Sequence, residues 1–152
     1  MRNNCRLADG VPARLRHLGD TDSTANIDRD GCTTNSDRTN VVSCGDLSAG
    51  VLAVACTRFT YNPSDYDEVA EVDIKVNKAD FNWTVNPGSR SCKNRYDLQS
   101  VMTHERGHNF GLGHVSQSRH ASLPMSPKIG SCQAADRTPG KGDVLGLNRK
   151  YP

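Results

Sequence analysis

The sequence predicts an α+β fold, because strand-like segments come first along the chain and helix-like segments follow. Residues 69–76 alternate apolar and polar side chains with a period of two, which is typical of a strand with one buried face. Residues 95–110 carry good helix formers, with apolar side chains spaced to face a core. At 152 residues the chain suits a single domain, 1–152.

The remaining segments complete the expected order of elements. Residues 5–19 fit either a short helix or a strand, and both alternatives stay open. The β-rich runs 41–44 and 51–56 predict a hairpin or a pair of neighbouring strands. Gly111 is expected to end the central helix, and residues 143–151 are expected to form a short last helix.

The cysteines indicate an oxidising compartment. Hydrophobic residues make up 35% of the chain and aromatic residues 5%, so covalent cross-links would help a thin core. Six scattered cysteines, with no C-x-x-C pair, can supply these cross-links. We therefore expect a secreted, extracellular protein. Six cysteines allow about 15 connectivities, which the sequence leaves open; the pairing we choose among them is Cys5–Cys32, Cys44–Cys56 and Cys92–Cys132.

Charge and hydropathy exclude some classes of partner. The formal net charge is +2, from 19 basic and 17 acidic residues that are interspersed along the chain. This pattern does not favour nucleic acid or anionic lipid as a partner. No stretch approaches the roughly 18 apolar residues of a membrane span. We expect a monomer that binds neither nucleic acid nor membrane.

The strongest signal for chemistry lies in residues 104–114, which follow the pattern H-E-x-x-H-x-x-G-x-x-H. His104 and His108 are four residues apart on a predicted helix, so both imidazoles can reach one ion. Gly111 can adopt positive φ and turn the chain back, so that His114 becomes the third ligand. Three protein ligands leave a fourth position for water, as in catalytic zinc sites.

Glu105 is the candidate general base. Its position on the helix is poor for a third ligand and good for taking a proton from zinc-bound water. Zinc lowers the pKa of that water to about 7 and polarises a carbonyl group. The motif predicts an endopeptidase with one catalytic Zn²⁺ that acts on protein or peptide substrates. The alternative is a catalytically degenerate zinc-binding module.

Four further segments carry a family resemblance. Residues 96–103 lead into the zinc motif, residues 123–127 read Leu-Pro-Met-Ser-Pro, residues 142–151 close the chain, and residues 71–74 read Glu-Val-Asp-Ile. Together with the zinc motif, they resemble the metzincin clan of zinc endopeptidases. Within that clan they resemble the matrixin-like branch, which includes matrix metalloproteinases and their secreted bacterial relatives.

The resemblance implies a zincin/metzincin-like fold with a twisted mixed β-sheet, an active-site helix, a Met-turn and a C-terminal helix. It implies that Met125 lies beneath the three imidazoles and that Asp143 ties the last helix to the Met-turn backbone. Residues 71–74 would form the upper edge of the substrate cleft, where a peptide adds as a strand. An N-terminal subdomain 1–114 and a C-terminal subdomain 115–152 would border this cleft.

Several positions depart from the matrixin pattern. Val115 replaces the serine that usually follows the third ligand, and the loop from His114 to Met125 is longer than in matrixins. Ile129 stands where a tyrosine would follow Pro127, which leaves the depth and lining of the S1′ pocket open.

A polar loop suggests a possible Ca²⁺ site. Asn26, Asp28, Asp30 and Asp37 place oxygen ligands at positions 1, 3, 5 and 12, with Gly31 at position 6, as in an EF-hand loop. The flanking helices of an EF-hand are missing, so solvated turns are the default interpretation of these residues and the Ca²⁺ site is the alternative.

Overall fold

The computed structural model describes residues 16–61, 63, 68–134 and 136–151. The chain divides into two compact units: the first is Gly19–Phe81, and the second comprises, among the described residues, 16–18 and those from Asn82 onward. The first unit contains strands, and the second contains helices and two short strands, so the predicted α+β class is confirmed. The open question of helix or strand for residues 5–15 lies outside the described residues.

The first unit is built on a three-stranded sheet. Its strands are β1 (Val42–Gly45), β2 (Ala53–Thr60) and β3 (Glu68–Asn77), in the order β1-β3-β2. Strand β3 pairs in parallel with β1 and antiparallel with β2. The alternation of residues 69–76 therefore predicted the strand correctly, but its single buried face is wrong, because successive residues from Glu71 to Ile74 are all buried.

Two strand assignments are wrong. The predicted strands 41–44 and 51–56 correspond to β1 and β2, which are not neighbours in the sheet. The longer β3 lies between them and forms strand pairs with both. For the same reason, residues 71–74 do not form an edge of the sheet. Strands β1 and β2 occupy the two edges among the described strands of this unit. Strand pairing joins residues far apart in sequence, and local patterns do not encode it.

Two buried carboxylates on β3 organise the polar loop that precedes the sheet. Glu71, which is 1% exposed, accepts hydrogen bonds from the Ser36 hydroxyl (2.6 Å) and from the backbone N–H groups of Asp37 (2.9 Å) and Arg38 (2.8 Å). Asp73 accepts hydrogen bonds from the backbone N–H groups of Asn26 (2.7 Å) and Val41 (2.9 Å). The loop is therefore held by side chains of the sheet.

Glu71 also pairs with a cation. The Arg58 Nε lies 3.3 Å from the Glu71 carboxylate, and the Asn26 side-chain amide donates to the same carboxylate at 3.1 Å. Burial alone would raise the pKa of Glu71, but its hydrogen bonds from Ser36, Arg38, Asn26 and Asp37 lower the pKa to about 2. The carboxylate is therefore ionised at every pH at which the protein is expected to work.

Two disulfides cross-link the described residues. Cys92–Cys132 lies in the second unit, as predicted. Cys32 bonds to Cys56, so the expected pairs Cys5–Cys32 and Cys44–Cys56 are wrong. An isolated antiparallel β-bridge pairs Ile27 with Cys32 within the loop. The disulfide joins this loop to Cys56 on β2, and the spacing of the cysteines along the chain does not reveal that contact. Cys44 is exposed and is a free thiol, and Cys5 lies outside the described residues.

The second unit positions the predicted site helix. Its elements are β4 (Asn82–Thr84), β5 (Arg95–Asp97), α1 (Leu98–Asn109), α2 (Gln117–His120) and α3 (Lys141–Lys150). Strand β5 pairs in parallel with β4. The expected start of the central helix at residue 95 is therefore wrong, because its first three residues form a strand. No helix in the described part of the chain is long and apolar enough to cross a membrane.

A buried ion pair secures the start of α1. Asp97 is the N-cap residue, and its carboxylate accepts hydrogen bonds from the Ser100 N–H (3.0 Å) and hydroxyl (2.7 Å). Arg137 donates two hydrogen bonds to the same carboxylate, both at 2.8 Å, and a third to the Val85 carbonyl. Despite burial, the bonds from Arg137 and Ser100 lower the pKa of Asp97. The first turn of α1 is therefore held by an ionised N-cap carboxylate that is itself paired with Arg137.

We predict that Glu71→Gln lowers the free energy of unfolding by about 2–4 kcal/mol, since it breaks a buried ion pair and its hydrogen bonds. Because the folded-state pKa of Glu71 is about 2 and its ordinary value is 4.5, this stabilisation is complete above pH 4.5 and is lost as the pH falls toward 2. Urea unfolding across this pH range measures the difference. Glu68→Gln, at an exposed glutamate of the same strand, is the control. A difference that does not shrink on acidification would contradict the prediction.

Candidate active site

The chain reverses direction directly after α1, as the glycine in the motif predicted. Gly111 has φ +80°, a left-handed conformation that suits glycine. The Gly111 N–H donates to the His108 carbonyl (2.8 Å) and the Leu112 N–H donates to the Gly107 carbonyl (2.9 Å). This pair of bonds is the Schellman arrangement that ends many helices. It returns the chain toward α1, so that His114 comes back to the helix.

Three histidines converge on one point. The Nε2 atoms of His104 and His108 are 3.1 Å apart, those of His108 and His114 are 3.1 Å apart, and those of His114 and His104 are 3.2 Å apart. Nitrogens bound to one tetrahedral zinc at roughly 2.0–2.1 Å are about 3.3–3.4 Å apart, so the spacing fits zinc. Among the described residues, no other group of three or more His, Cys, Asp or Glu side chains is placed to hold a metal.

Backbone carbonyls orient two of the imidazoles. The Nδ1 of His104 lies 2.6 Å from the Pro124 carbonyl oxygen, and the Nδ1 of His108 lies 2.9 Å from the Leu112 carbonyl oxygen. A carbonyl oxygen can only accept, so each Nδ1 must carry the proton and each Nε2 must present its lone pair. This is how proteins commonly prepare histidine to bind a metal.

Burial favours the neutral form of these ligands. Burial lowers the pKa of His104 to about 4; the hydrogen bond to Pro124 opposes this shift, while the charges of His108 and His114 add to it. Burial and the charge of His108 also lower the pKa of His114. A neutral imidazole is the form that binds a metal ion, so His104 needs no deprotonation at neutral pH.

The Met-turn supports the site from the side of His104. In residues 123–127, the Ser126 N–H donates to the Leu123 carbonyl (2.9 Å), which closes a turn around Pro124 and Met125. The Met125 carbonyl accepts from the Val115 N–H at 2.9 Å, next to the third histidine. The turn is therefore linked to His104 through the Pro124 carbonyl and to the chain beside His114 through that of Met125.

Met125 fills the space left by a missing side chain on α1. It is 1% exposed, and a Cβ atom added at Gly107 would lie 2.2 Å from its Sδ. Glycine is unfavourable within a helix, by roughly 1 kcal/mol relative to alanine. The close approach of the methionine explains why a glycine stands in the middle of α1.

Glu105 follows His104 on α1, and its side chain is 5% exposed. Asp143 lies on α3, where its carboxylate accepts the Gly140 N–H at 2.8 Å, so its hydrogen bond serves the start of its own helix. Burial raises the pKa of Asp143. With Pro124 and Met125 it lines one small cavity. The expected tie from Asp143 to the Met-turn backbone stays a prediction.

The structure does not support the alternative Ca²⁺ site in the polar loop. The Asp28 carboxylate accepts the backbone N–H groups of Asp30 (2.8 Å) and Gly31 (3.0 Å), and that of Asp37 accepts the Thr39 N–H (2.8 Å). Asp28 and Asp37 therefore cap their own turns, and the Asp30 carboxylate accepts the Ser48 hydroxyl at 3.1 Å. In the described part of the chain, these carboxylates do not converge as metal ligands would.

Sequence reasoning missed two supports of the site. Asp97 before an apolar helical run is an N-cap signal that could have been recognised, whereas nothing in the sequence pointed to its partner Arg137. Gln117 on α2 accepts hydrogen bonds from the Ser126 hydroxyl (2.8 Å) and the Lys128 N–H (3.1 Å). No local pattern identifies a glutamine that holds a turn several residues away.

We predict that Gly107→Ala lowers the free energy of unfolding by about 1–3 kcal/mol, because the new methyl group displaces the buried Met125 side chain. Gly113→Ala is the control, since a Cβ atom at that position meets nothing within 4 Å. Chemical denaturation of both variants makes the comparison. Equal stability of the two variants would show that Met125 moves aside without cost.

Comparison with known proteins agrees with this geometry. The model of the matrixin family matches residues 35–152, which covers most of the chain and all of the described site. Neither the curated proteins nor the solved structures include a match to this chain. The chain belongs to the matrixin family of zinc metalloproteases, as its motifs indicated.

Proposed function

We propose that this protein is an endopeptidase that hydrolyses peptide bonds with one zinc ion held by His104, His108 and His114. The observation that carries the proposal is the triangle of Nε2 atoms, 3.1–3.2 Å on each side, with two of the rings oriented by carbonyl oxygens. Three nitrogen ligands are the set expected for a catalytic zinc site. Membership of the matrixin family supports the same chemistry.

Each residue has a defined task in this proposal. Zinc supplies Lewis acidity, which polarises the scissile carbonyl and acidifies a water molecule. The hydrogen bonds to Pro124 and Leu112 keep the rings of His104 and His108 in place, so the ligands do not reorganise during the reaction.

Glu105 is the general base in this proposal. Its carboxylate takes a proton from the attacking water and then gives that proton to the leaving amine. Its side chain is buried next to the first ligand, where a charged group interacts more strongly than in bulk water. Its adjacency to His104 along α1 keeps it close to the reacting groups.

Three further residues are proposed to support the ligands. Gly111 allows the reversal that brings His114 to the site, Met125 fills the space beside α1, and Asp143 stabilises α3 next to the Met-turn. We further propose that the two units act as one catalytic domain and that the protein works outside the cell. The two disulfides among the described residues are compatible with that location.

We predict that Glu105→Gln retains zinc but loses about 10²–10⁴-fold or more in peptide hydrolysis, while His108→Ala loses both zinc and activity. Zinc content by atomic absorption and hydrolysis of a mixed peptide library, with and without a chelator, measure both properties. Glu68→Gln, an exposed glutamate of β3, is the control and should match the wild type.

Two outcomes would contradict the proposal. A wild-type protein that binds zinc and cleaves no peptide would be the catalytically degenerate zinc-binding module. Full activity in Glu105→Gln would show that another group accepts the proton.

A further inference from the structure

The acidic side chains of the described residues 82–151 are all hidden from solvent. Residues 82–152 contain four acidic side chains, and all four lie within the described part of this range. Asp97 is 0% exposed, Asp136 2%, Glu105 5% and Asp143 7%. Asp97 is neutralised by Arg137, and Asp143 accepts a backbone N–H group. None of these residues presents a negative charge at the surface of the unit.

The cations of the same unit are mostly at the surface. Residues 82–152 contain ten Lys and Arg side chains, and all of them except Arg137 are exposed. The nine exposed cations are Arg90, Lys93, Arg95, Arg106, Arg119, Lys128, Lys141, Arg149 and Lys150. Basic and acidic residues alternate along the chain, but burial separates them in the folded unit. The described residues 82–151, which carry the three histidines, therefore expose only cationic side chains among their charged groups.

Two of these cations belong to the segments that flank the histidine site. Arg119 lies on α2, a few residues after His114, and Lys128 follows the Met-turn. The Gln117 side chain accepts the Lys128 N–H at 3.1 Å, so it holds α2 and the end of the Met-turn together. The Val115 N–H donates to the Met125 carbonyl in the same region. Arg119 and Lys128 are therefore carried by elements attached to the site.

We propose that the preferred substrates are acidic polypeptides, with Asp and Glu residues flanking the bond that is cleaved. This proposal rests on the proposed endopeptidase function, and it assigns the substrate class of that same site. An extended peptide that approaches the histidine site enters the field of nine exposed cations, with no exposed carboxylate among the described residues 82–151, and only Arg119 and Lys128 lie on segments attached to the site. A zinc ion held by the three histidines would add further positive charge.

The physical effect is electrostatic steering. A surface of one charge sign raises the association rate of an oppositely charged ligand by about 10–10³-fold at low ionic strength. The Debye length is about 30 Å at 0.01 M salt and about 3 Å at 1 M, so salt removes the effect. A preference that comes from steering therefore appears in kcat/KM and disappears as salt is added.

The test compares two peptide libraries that share a randomised centre. One library has Asp and Glu flanks, and the other has Asn and Gln flanks of the same size. At roughly 0.02 M salt the zinc-loaded protein should cleave the acidic library about tenfold faster, and at roughly 0.5 M salt the ratio should fall below about twofold. Equal rates at low salt, or faster cleavage of the amide library, would overturn the proposal.

Two pairs of substitutions test which cations cause the preference for acidic substrates. Arg119→Gln combined with Lys128→Gln should reduce the acidic preference by about threefold or more and leave cleavage of the amide library unchanged. The control is Arg29→Gln combined with Lys78→Gln, which removes two exposed cations from the first unit. An equal loss of preference in both pairs would refute a role for the cations beside the site.

A binding measurement separates the two proposals. Fluorescence anisotropy with the zinc-loaded Glu105→Gln protein should show tighter binding of an acidic peptide than of its amide counterpart. Cleavage of the amide library without acidic preference would refute the substrate class and leave the endopeptidase function standing. If neither library is cleaved by the zinc-loaded wild type, both proposals fail. Tighter binding of a single-stranded oligonucleotide than of the acidic peptide would also overturn the substrate assignment.

Discussion

The candidate site depends on the hydrogen bonds from two imidazoles to backbone carbonyls. His104 donates to Pro124 and His108 donates to Leu112, and these bonds decide which ring nitrogen carries the proton. Both acceptors lie in the chain that follows α1, not in the helix itself. The geometry of three converging Nε2 atoms is therefore a property of the helix together with the reversal at Gly111 and the Met-turn.

The rest of the second unit holds these elements at fixed distances. The ion pair of Asp97 with Arg137 anchors the start of α1, and the left-handed Gly111 sets its end. Between these points, the contact of Gly107 with Met125 brings the Met-turn against the helix. A shift of the turn would move the Pro124 carbonyl and with it the His104 ring. Packing and ligand orientation are thus coupled.

Sequence patterns predicted correctly those features that are set by residues close together along the chain. The spacing of the three histidines and Gly111 follows from helical periodicity and glycine's access to positive φ, so both the convergence and the helix end could be predicted. The predicted start of α1 at residue 95 is wrong, because the N-cap residue Asp97 places the first helical residue at Leu98. The separation of β1 from β2 and the pairing of Cys32 with Cys56 depend on contacts between distant segments. The cationic surface could not be predicted either, because it results from the burial of four carboxylates that look ordinary in the sequence.

The most direct test is X-ray absorption spectroscopy of the zinc-loaded protein at the zinc edge. Three imidazole nitrogens at roughly 2.0–2.1 Å and one light-atom ligand from solvent are the predicted first coordination shell. A sulfur ligand, or a fourth imidazole nitrogen in place of the solvent ligand, would describe a closed structural site. Either result would contradict a catalytic centre built on His104, His108 and His114.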